Sequence, residues 1–474
     1  MPVPPDPTPT DPDTALAAGP RRAPRELRDR RKPLLERHPT RRLLILFFAL
    51  LAVGSVALML PPMSATGAWT DPLTAFFTAT SALTGTGLTV VSTPAAWSLA
   101  GQAVIMALVM VGGIGVMAGT VMVLVVLGRR ADLRSRLMVG ATSGAGAGDA
   151  RSIVIGTARV VTIITLLGAC VLAVLFFVHG GLDVGGAAWW GLFFSASAVN
   201  NAGFDLTGQS LIPYASDLDI VAVVSVLMLL GSLGVLALVE PFRTRRWDGL
   251  SVETRLVLVG SGVLVVAGAL LFALIEWDNP ATLGPLDPVA RGFNSLFASI
   301  SARSTGFNTV DIASLRPETQ GLTMALMFVG GAVGSTAGGI RVNVLVVLVI
   351  VVVSMLQRHR EPQAMGRRLE PRVVYYAITV TGIGLAIVGA AVFLMQLVVD
   401  SPSPAERSLI GFEVVSAFGT AGLSNGLTLG TAGQIGLILC MLLGRLSVLA
   451  LAILFAGQLR ARGGRPPRGI MRVA

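Results

Sequence analysis

Residues 77–88 read Phe-Thr-Ala-Thr-Ser-Ala-Leu-Thr-Gly-Thr-Gly-Leu, and three later stretches follow the same pattern. Each has a phenylalanine, three residues, Ser-Ala, a few small or polar residues, a glycine and a large apolar residue. The other copies are residues 193–204, 297–307 and 412–423. The third copy has one residue fewer between its serine and its glycine. Four such copies indicate an internal repeat, and a repeat of this kind determines the whole fold.

Apolar segments long enough to cross a membrane flank each copy. Of the 474 residues, 53% are hydrophobic and only 13% are charged, and the mean hydropathy is +0.76. A water-soluble domain needs more charge on its surface, so this composition is typical of a polytopic membrane protein. A spanning helix needs roughly 20 residues. Eight apolar segments are long enough, at residues 43–60, 101–127, 152–178, 218–239, 255–276, 320–356, 373–399 and 432–458.

Each copy of the repeat lies in a shorter, semi-polar stretch between two of these segments. The stretches, at residues 71–88, 187–204, 289–307 and 405–423, are too short and too rich in Ser, Thr, Asn and Gly to span. Asp71-Pro72, Asp287-Pro288 and Ser403-Pro404 are typical helix starts. Each stretch is therefore expected to enter the membrane as a short helix and to return.

The predicted fold class is an all-α polytopic membrane protein in which four helix–re-entrant loop–helix repeats, with eight spans, surround one pseudo-fourfold ion pore. The repeats are expected at residues 43–127, 152–240, 255–356 and 373–459.

Basic residues predict the orientation of these spans. Most of the 36 Lys and Arg residues lie in the tail 1–42, in the linkers 128–151, 241–255 and 357–372, or after residue 459. The loops inside each pair of spans carry mainly acids. Because cytoplasmic loops are enriched in Lys and Arg, both termini are expected in the cytoplasm. Residues 1–42 are expected to be a disordered basic tail and 460–474 a second cytoplasmic tail.

The glycine at the end of each re-entrant helix predicts a cation site. Glycine adopts positive φ readily, so successive carbonyls can turn toward one side. The negative end of the short helix dipole would face the same place, and rings of carbonyl oxygens can replace the water shell of a cation. The candidate ion-binding residues are Thr84, Gly85, Thr86, Gly87, Asn200, Asn201, Ala202, Gly203, Ser304, Thr305, Gly306, Gly419, Thr420, Ala421 and Gly422.

Two features indicate an unwound segment and a barrier or gate within the pore. Residues 330–340 hold five glycines, which favour an unwound segment within a long apolar run; a glycine-rich packing seam is the alternative. Arg445 falls near the middle of the last span, where a charge is costly unless it faces protein or water. The candidate gate residues are Gly330, Gly331, Gly334, Ser335, Thr336, Ala337, Gly338, Gly339 and Arg445.

Other charged and glycine positions are weaker candidates. Arg303 and Glu413 lie inside the third and fourth re-entrant stretches, and we expect them to support the filter by hydrogen bonds. Arg341 is expected only to flank the short helix that follows the glycine-rich segment. The second helix of each repeat carries Met-x-x-Gly, which fits helix packing or a hinge. These glycines are Gly113, Gly231, Gly330 and Gly444.

With these motifs the chain resembles the Trk/Ktr/HKT superfamily of potassium transporters over about residues 43–460. The shared pieces include Asn-Asn-Ala-Gly-Phe from 200, Ser-Thr-Gly-Phe-Asn-Thr-Val-Asp from 304 and Gly-Ser-Thr-Ala-Gly-Gly-Ile-Arg from 334. Eight spans without an extra N-terminal pair make the chain more similar to the Ktr membrane subunit. Ser447 departs from the glycine that many relatives carry.

The resemblance implies potassium uptake through one filter glycine per repeat, with Gly87 favouring potassium over sodium. It also implies a gating loop at residues 330–339 and an arginine under the filter at Arg445. The implied setting is the bacterial inner (plasma) membrane. The implied partners are a second copy of the chain in a homodimer, membrane lipid and a separate cytosolic ring subunit that binds nucleotides.

Several function classes are disfavoured by the sequence. Lys32 is the one lysine and no Gly-Lys-Ser/Thr sequence occurs, so a Walker A loop is excluded. No organic cofactor, nucleic acid, metal site beyond the permeant monovalent cation, or enzymatic constellation is expected. Two transport alternatives stay open. One is a sodium-selective or sodium-coupled transporter on the same scaffold; the other is a carrier of small organic solutes, which would predict inverted repeats.

Overall fold

The computed structural model of the protein describes residues 39–127, 150–358, 361–399, 404–427 and 429–458. The tail predicted for 1–42 lies outside these residues up to position 38, as do nearly all of the basic linker 128–151 and the whole of 460–474. The opening part of the first helix, up to Phe48, exposes Ile45, Leu46 and Phe48.

Helices make up nearly all of the described structure. In the first two repeats they are α1 (Pro39–Met59), α2 (Pro72–Thr84), α3 (Thr93–Ala96), α4 (Leu99–Leu127), α5 (Ala150–His179), α6 (Val184–Val199), α7 (Leu218–Leu233) and α8 (Val235–Thr244). Turns of 3₁₀ helix lie at Pro61–Met63, Ile212–Tyr214 and Trp247–Gly249.

The second half of the chain repeats the arrangement. Its helices are α9 (Val252–Glu276), α10 (Pro288–Ala302), α11 (Pro317–Phe328), α12 (Val342–Leu356), α13 (Pro371–Val398), α14 (Pro404–Gly419) and α15 (Thr431–Gln458). Two-residue strands β1 (Gln363–Ala364) and β2 (Arg367–Arg368) form an antiparallel hairpin between α12 and α13.

Four described helices are long and apolar enough to cross a membrane, at Leu99–Thr120, Val154–His179, Val252–Glu276 and Pro371–Val398. The bent pair α7–α8 would make a fifth. Shorter apolar helices include Val342–Leu356 and Thr431–Arg445. The protein is thus a helical membrane protein, and the count of eight spans stays a prediction.

The break between α7 and α8 differs from the continuous span expected at residues 218–239. The two helices meet at 98° at Gly234, which has φ 80°. The last carbonyls of α7 bond outside their own helix: Ser232 accepts from the Ala332 N–H at 2.9 Å and Gly231 from the Thr336 N–H at 3.4 Å. A Cβ on Gly234 would lie 2.9 Å from the Val333 carbonyl. The α11–α12 loop therefore takes the place of the next helical turn.

Two of the three predicted helix starts can be compared with the structure, since Ser403 lies outside the described residues. Asp71 accepts from the Thr74 N–H at 3.0 Å, with Pro72 at the first helical position. Asp287 precedes Pro288 at the start of α10 without a side-chain cap. In the second repeat Asp183 accepts from the Gly185 and Gly186 N–H groups. An acid at these helix starts also complements the positive end of the helix dipole.

Glycines in the second helices are sites of close packing against the re-entrant helices. A Cβ on Gly231 would meet the Val199 carbonyl, and one on Gly444 would meet the Phe418 carbonyl. In the first repeat this place belongs to Gly112, whose Cβ would meet the Leu83 carbonyl, while Gly113 faces the Asn200 side chain. In this repeat, the glycine that packs against the re-entrant helix is therefore one residue before the glycine of the Met-x-x-Gly pattern.

Gly112→Ala is expected to destabilise the protein by about 1–3 kcal/mol, because the new methyl group overlaps backbone that cannot easily move. Gly115→Ala, in the same helix, is the matched control, since nothing lies within 4 Å of its Cβ position. The measurement is the midpoint of thermal unfolding of the purified protein in detergent. Equal midpoints for the two variants would contradict close packing at Gly112.

Candidate functional site

The four predicted filter glycines lie around one axis. A Cβ on Gly87 would overlap the Ala202 carbonyl oxygen, one on Gly203 that of Thr305, and one on Gly306, at 2.6 Å, that of Ala421. A Cβ on Gly422 would overlap the Thr86 carbonyl oxygen. Each glycine thus faces the residue that precedes the next glycine in chain order, and the fourth returns to the first. We call these glycines and carbonyls the glycine ring.

Positive φ at all four glycines produces this arrangement. Gly87, Gly203, Gly306 and Gly422 have φ of 86°, 69°, 84° and 81°. Residues with side chains rarely adopt such angles. Both the conformation and the space therefore require glycine.

The re-entrant helices end in the same way in three repeats. In the first, the Thr86 N–H donates to Ser81 O at 2.8 Å and the Gly85 N–H to Ala82 O at 3.1 Å, with Gly85 left-handed. These two bonds form a Schellman motif. Asn201 (φ 50°) and Thr420 (φ 48°) hold the left-handed position in the second and fourth repeats.

The third repeat, one residue shorter, reaches the same end without a left-handed residue. There the Thr305 N–H donates to Ser301 O at 2.9 Å. In the other repeats, the N–H groups of Ala202 and Ala421 donate to Ser197 O and Ser416 O. The serine of the repeat therefore acts through its main-chain oxygen, by fixing the residue whose own carbonyl joins the glycine ring.

Almost all of the predicted ion-binding residues are brought together here and are buried; Gly422 is half-buried. The Thr84 and Thr86 hydroxyls lie 2.7 Å apart. The Asn200 amide nitrogen donates to Ala196 O and contacts the Met110 sulfur. Asn201 lies between Thr305 and Thr336, with 2.7 Å to each hydroxyl.

All of the residues predicted to form a gate except Arg445 lie in the α11–α12 loop (residues 329–341), which is non-helical. The loop closes on itself, because the Gly330 N–H donates to Ile340 O at 2.9 Å and the Ile340 N–H to Phe328 O at 3.1 Å. Gly338 and Gly339 pack against Thr420 and Gly419 of the fourth repeat. Gly330, Gly331, Gly334, Ser335, Thr336, Ala337, Gly338 and Gly339 are all buried.

Arg445 joins this loop to the first re-entrant segment. Its Nη1 donates to the Thr336 carbonyl. Its Nη2 lies 3.6 Å from the Cβ position of Gly85. The side chain is 3% exposed, and none of the described carboxylates forms an ion pair with it. A buried cation held by main-chain oxygens is suited to a polar, water-containing passage rather than to a sealed apolar core.

Arg341 is part of the same loop, although the sequence suggested only a flank. It is 3% exposed, and its Nη1 donates to the Ala332 and Ala337 carbonyls and to the Ser335 hydroxyl. Asn343, also missed, accepts from the Val333 N–H at 3.1 Å and reaches Glu253 at 3.3 Å. A polar residue directly after a glycine-rich unwound segment is the sequence feature that could have identified both.

The two predicted supporting residues differ in their contacts. The Glu413 carboxylate, 2% exposed, accepts from the Ser424 hydroxyl at 2.6 Å and from the Asn425 N–H at 3.0 Å. It thereby joins α14 to the segment just after Gly422. Arg303, also 2% exposed, makes only long bonds of 3.4–3.5 Å to Ser261 on α9.

This arrangement defines a class of protein. Peptide oxygens around one axis, inside a helical membrane protein and above a polar loop, are suited to holding a desolvated cation. Comparison with known proteins agrees, since the TrkH family, described as cation transport proteins, matches residues 51–461. The chain belongs to this family, and it is therefore a transport protein and not an enzyme.

Curated relatives are similar over nearly the full chain. The chain is 35% identical to the Ktr system potassium uptake protein B of Bacillus subtilis, over 88% of this chain and 93% of that protein. It is 30% identical to the potassium/sodium uptake protein NtpJ of Enterococcus hirae, over 90% of this chain and 95% of that one.

A solved structure has the same fold. The crystal structure of the potassium transporter TrkH from Vibrio parahaemolyticus matches with a TM-score of 0.67 and 22% identity, over 91% of this chain and 87% of that chain.

Proposed function

We propose that the protein takes up potassium across the cytoplasmic membrane through a selectivity filter formed by the glycine ring. The closed sequence of contacts from Gly87 through Gly203 and Gly306 to Gly422 and back is the observation that carries this proposal. Four carbonyl oxygens at one level can replace the hydration shell of a monovalent cation, which an apolar membrane interior cannot. The names of the Ktr relatives support potassium as the ion.

Sodium is the second candidate ion. The Enterococcus hirae relative is named a potassium/sodium uptake protein, so a sodium-selective or sodium-coupled transporter on the same scaffold is the alternative. The resemblance to the Trk/Ktr/HKT superfamily implies that glycine at the first ring position, Gly87, favours potassium.

The membrane arrangement and partners form part of the proposal. Eight spans with both termini in the cytoplasm of a bacterium, two copies of the chain, and a separate nucleotide-binding ring subunit follow from the charge distribution and the similarity to Ktr proteins. Native mass spectrometry of the purified protein tests the dimer, and a mass of one chain would contradict it.

Ion flux into proteoliposomes tests the ion specificity. The wild type is expected to carry potassium in preference to sodium. Gly203→Ser is expected to reduce this preference at least about tenfold, which corresponds to about 1.4 kcal/mol, because the new side chain overlaps the Thr305 carbonyl. Gly67→Ser is the control, since Gly67 also has positive φ (69°) but nothing within 4 Å. Equal permeability to both ions in the wild type would overturn the potassium proposal.

The same assay tests Glu413 as a support of the filter. Glu413→Leu removes the acceptor for Ser424 and Asn425 and is expected to lower the potassium preference, whereas Glu413→Gln keeps an acceptor oxygen and preserves most of it. Unchanged selectivity in Glu413→Leu would remove this role. For Arg303 the weak bonds to Ser261 favour a support only of α9 against α10.

We further propose that the α11–α12 loop and Arg445 form the gate. The loop lies between the end of α7 and the fourth re-entrant segment, and Arg445 holds it through the Thr336 carbonyl. Glycines make alternative backbone conformations of the loop accessible. Opening would then consist of a displacement of the loop away from the axis.

Arg445→Ala is expected to increase potassium flux in proteoliposomes at least about tenfold, because the loop loses a charge-assisted hydrogen bond of about 1.5–3 kcal/mol. Arg407→Ala, which removes an exposed arginine of the same repeat, is the control and is expected to leave flux unchanged. A flux in Arg445→Ala at or below that of the control would contradict a closing role for Arg445.

A further inference from the structure

The side chain of Asn201 lies between two parts of the molecule to which different functions are proposed. Asn201 belongs to the second re-entrant segment, just before Ala202 and Gly203 of the glycine ring. Its amide reaches the Thr305 hydroxyl, in the third segment, and the Thr336 hydroxyl, in the α11–α12 loop. Both distances are 2.7 Å, and all three side chains are buried.

Two main-chain groups of α7 fix the orientation of this amide. With its oxygen toward Thr336, the amide also accepts from the Ser232 N–H at 3.1 Å. Its nitrogen then donates to the Met228 carbonyl at 3.2 Å and to Thr305 at 2.7 Å. Both hydrogens and both lone-pair directions of the amide are used. A fully satisfied buried amide cannot rotate without leaving several groups unpaired.

The left-handed conformation of Asn201 has a use in this network. Asn is among the few non-glycine residues that adopt this region readily. The equivalent positions carry Gly85 in the first repeat and Thr420 in the fourth, and both are also left-handed. Of these three residues, Asn201 alone has an amide, and it faces the side of the ring on which the loop lies. The left-handed backbone therefore does not by itself explain why residue 201 is an asparagine.

Thr336 is a point at which the loop meets three neighbours, namely Asn201, the end of α7 and Arg445. Its hydroxyl contacts Asn201 and lies 3.3 Å from the Gly231 carbonyl, its N–H donates to the same carbonyl, and its own carbonyl accepts from Arg445. A movement of the loop therefore necessarily changes the environment of the Asn201 amide. Thr305, at the other end of that amide, is the residue whose carbonyl faces Gly203 in the ring.

We propose that Asn201 is a positioning residue that couples the filter to the gate: its amide holds Thr305 of the glycine ring and Thr336 of the loop at once. When the loop leaves, the amide oxygen loses the Thr336 hydroxyl as a donor, and only the α7 contacts still orient the nitrogen that holds Thr305. Ion selectivity is then highest while the loop is in place. The inference rests on the proposed filter and gate, and it assigns their connection to one side chain.

Thr336→Val tests the coupling from the loop side, because it removes a hydroxyl with little change in volume. In the otherwise wild-type chain it is expected to lower the potassium-to-sodium permeability ratio about fivefold, the factor that one ordinary buried hydrogen bond is worth. Thr323→Val is the matched control: its hydroxyl is also buried but donates only to Thr319 within α11. That variant is expected to keep the wild-type ratio.

Asn201→Gly provides the second arm of the test. Glycine adopts the left-handed conformation at the same position of the first repeat, so this variant keeps the backbone and removes the amide. It is expected to lower the ratio on its own, and adding Thr336→Val is expected to change it no further. A purely structural role would alter the amount of folded protein and leave the permeability ratio of the folded protein unchanged.

Asn201→Asp covers the case in which the glycine variant does not fold. A carboxylate keeps the acceptor for Thr336 and Ser232 but places an oxygen instead of an N–H against the Met228 carbonyl, so the group turns away from its position beside Thr305. The ratio should then fall, while Thr336→Val adds little. A full fivefold effect of Thr336→Val in either Asn201 background would overturn the coupling, as would an unchanged ratio in Thr336→Val alone. Absence of potassium selectivity in the wild type would instead refute the proposed function itself.

Discussion

The contact on which the structure depends is the one between each ring glycine and the carbonyl of the next repeat. Four segments far apart in sequence approach so closely that a single Cβ at Gly87, Gly203 or Gly422 would overlap a main-chain oxygen. Side chains cannot form such a ring, because rotamers and volume would separate the segments. The rest of the repeat serves this approach: capping hydrogen bonds end each re-entrant helix shortly before its ring glycine, and Gly112, Gly231 and Gly444 allow the surrounding helices to come close.

Much of this arrangement could be predicted from the sequence because the same motif occurs four times. The phenylalanine, serine and glycine spacing identified the re-entrant segments, and the one-residue deletion in the third copy was visible before its consequence was. That consequence is a helix end without a left-handed residue before Gly306. The pattern identified the serines by residue type, whereas in all four repeats the structure uses the serine carbonyl; the Ser301 hydroxyl in addition donates to the Phe307 carbonyl. A main-chain role leaves no direct trace in residue type.

The features that could not be predicted are those in which a segment of one repeat makes the contacts that a helix of another repeat would otherwise make within itself. The break at Gly234 depends on the loop that follows α11, because N–H groups of this loop donate to the Gly231 and Ser232 carbonyls at the end of α7. The local signal within residues 218–239 is weak, since Gly231, Ser232 and Gly234 also fit a continuous apolar helix. Arg341 read as a flank because its acceptors, the Ala332 and Ala337 carbonyls, exist only once the loop has left the helical conformation. Arg303, Arg341 and Arg445 are thus buried cations whose described partners are hydroxyl and carbonyl oxygens rather than acids.

The most direct test of the glycine ring as an ion site is the anomalous diffraction of crystals grown in rubidium or thallium salts, since both ions substitute for potassium. A filter formed by the glycine ring predicts a peak on the axis among Thr86, Ala202, Thr305 and Ala421 that persists when sodium is added in excess over the heavier ion. Heavy-ion density only at acidic side chains of the loops, with none on that axis, would contradict a filter formed by these four segments.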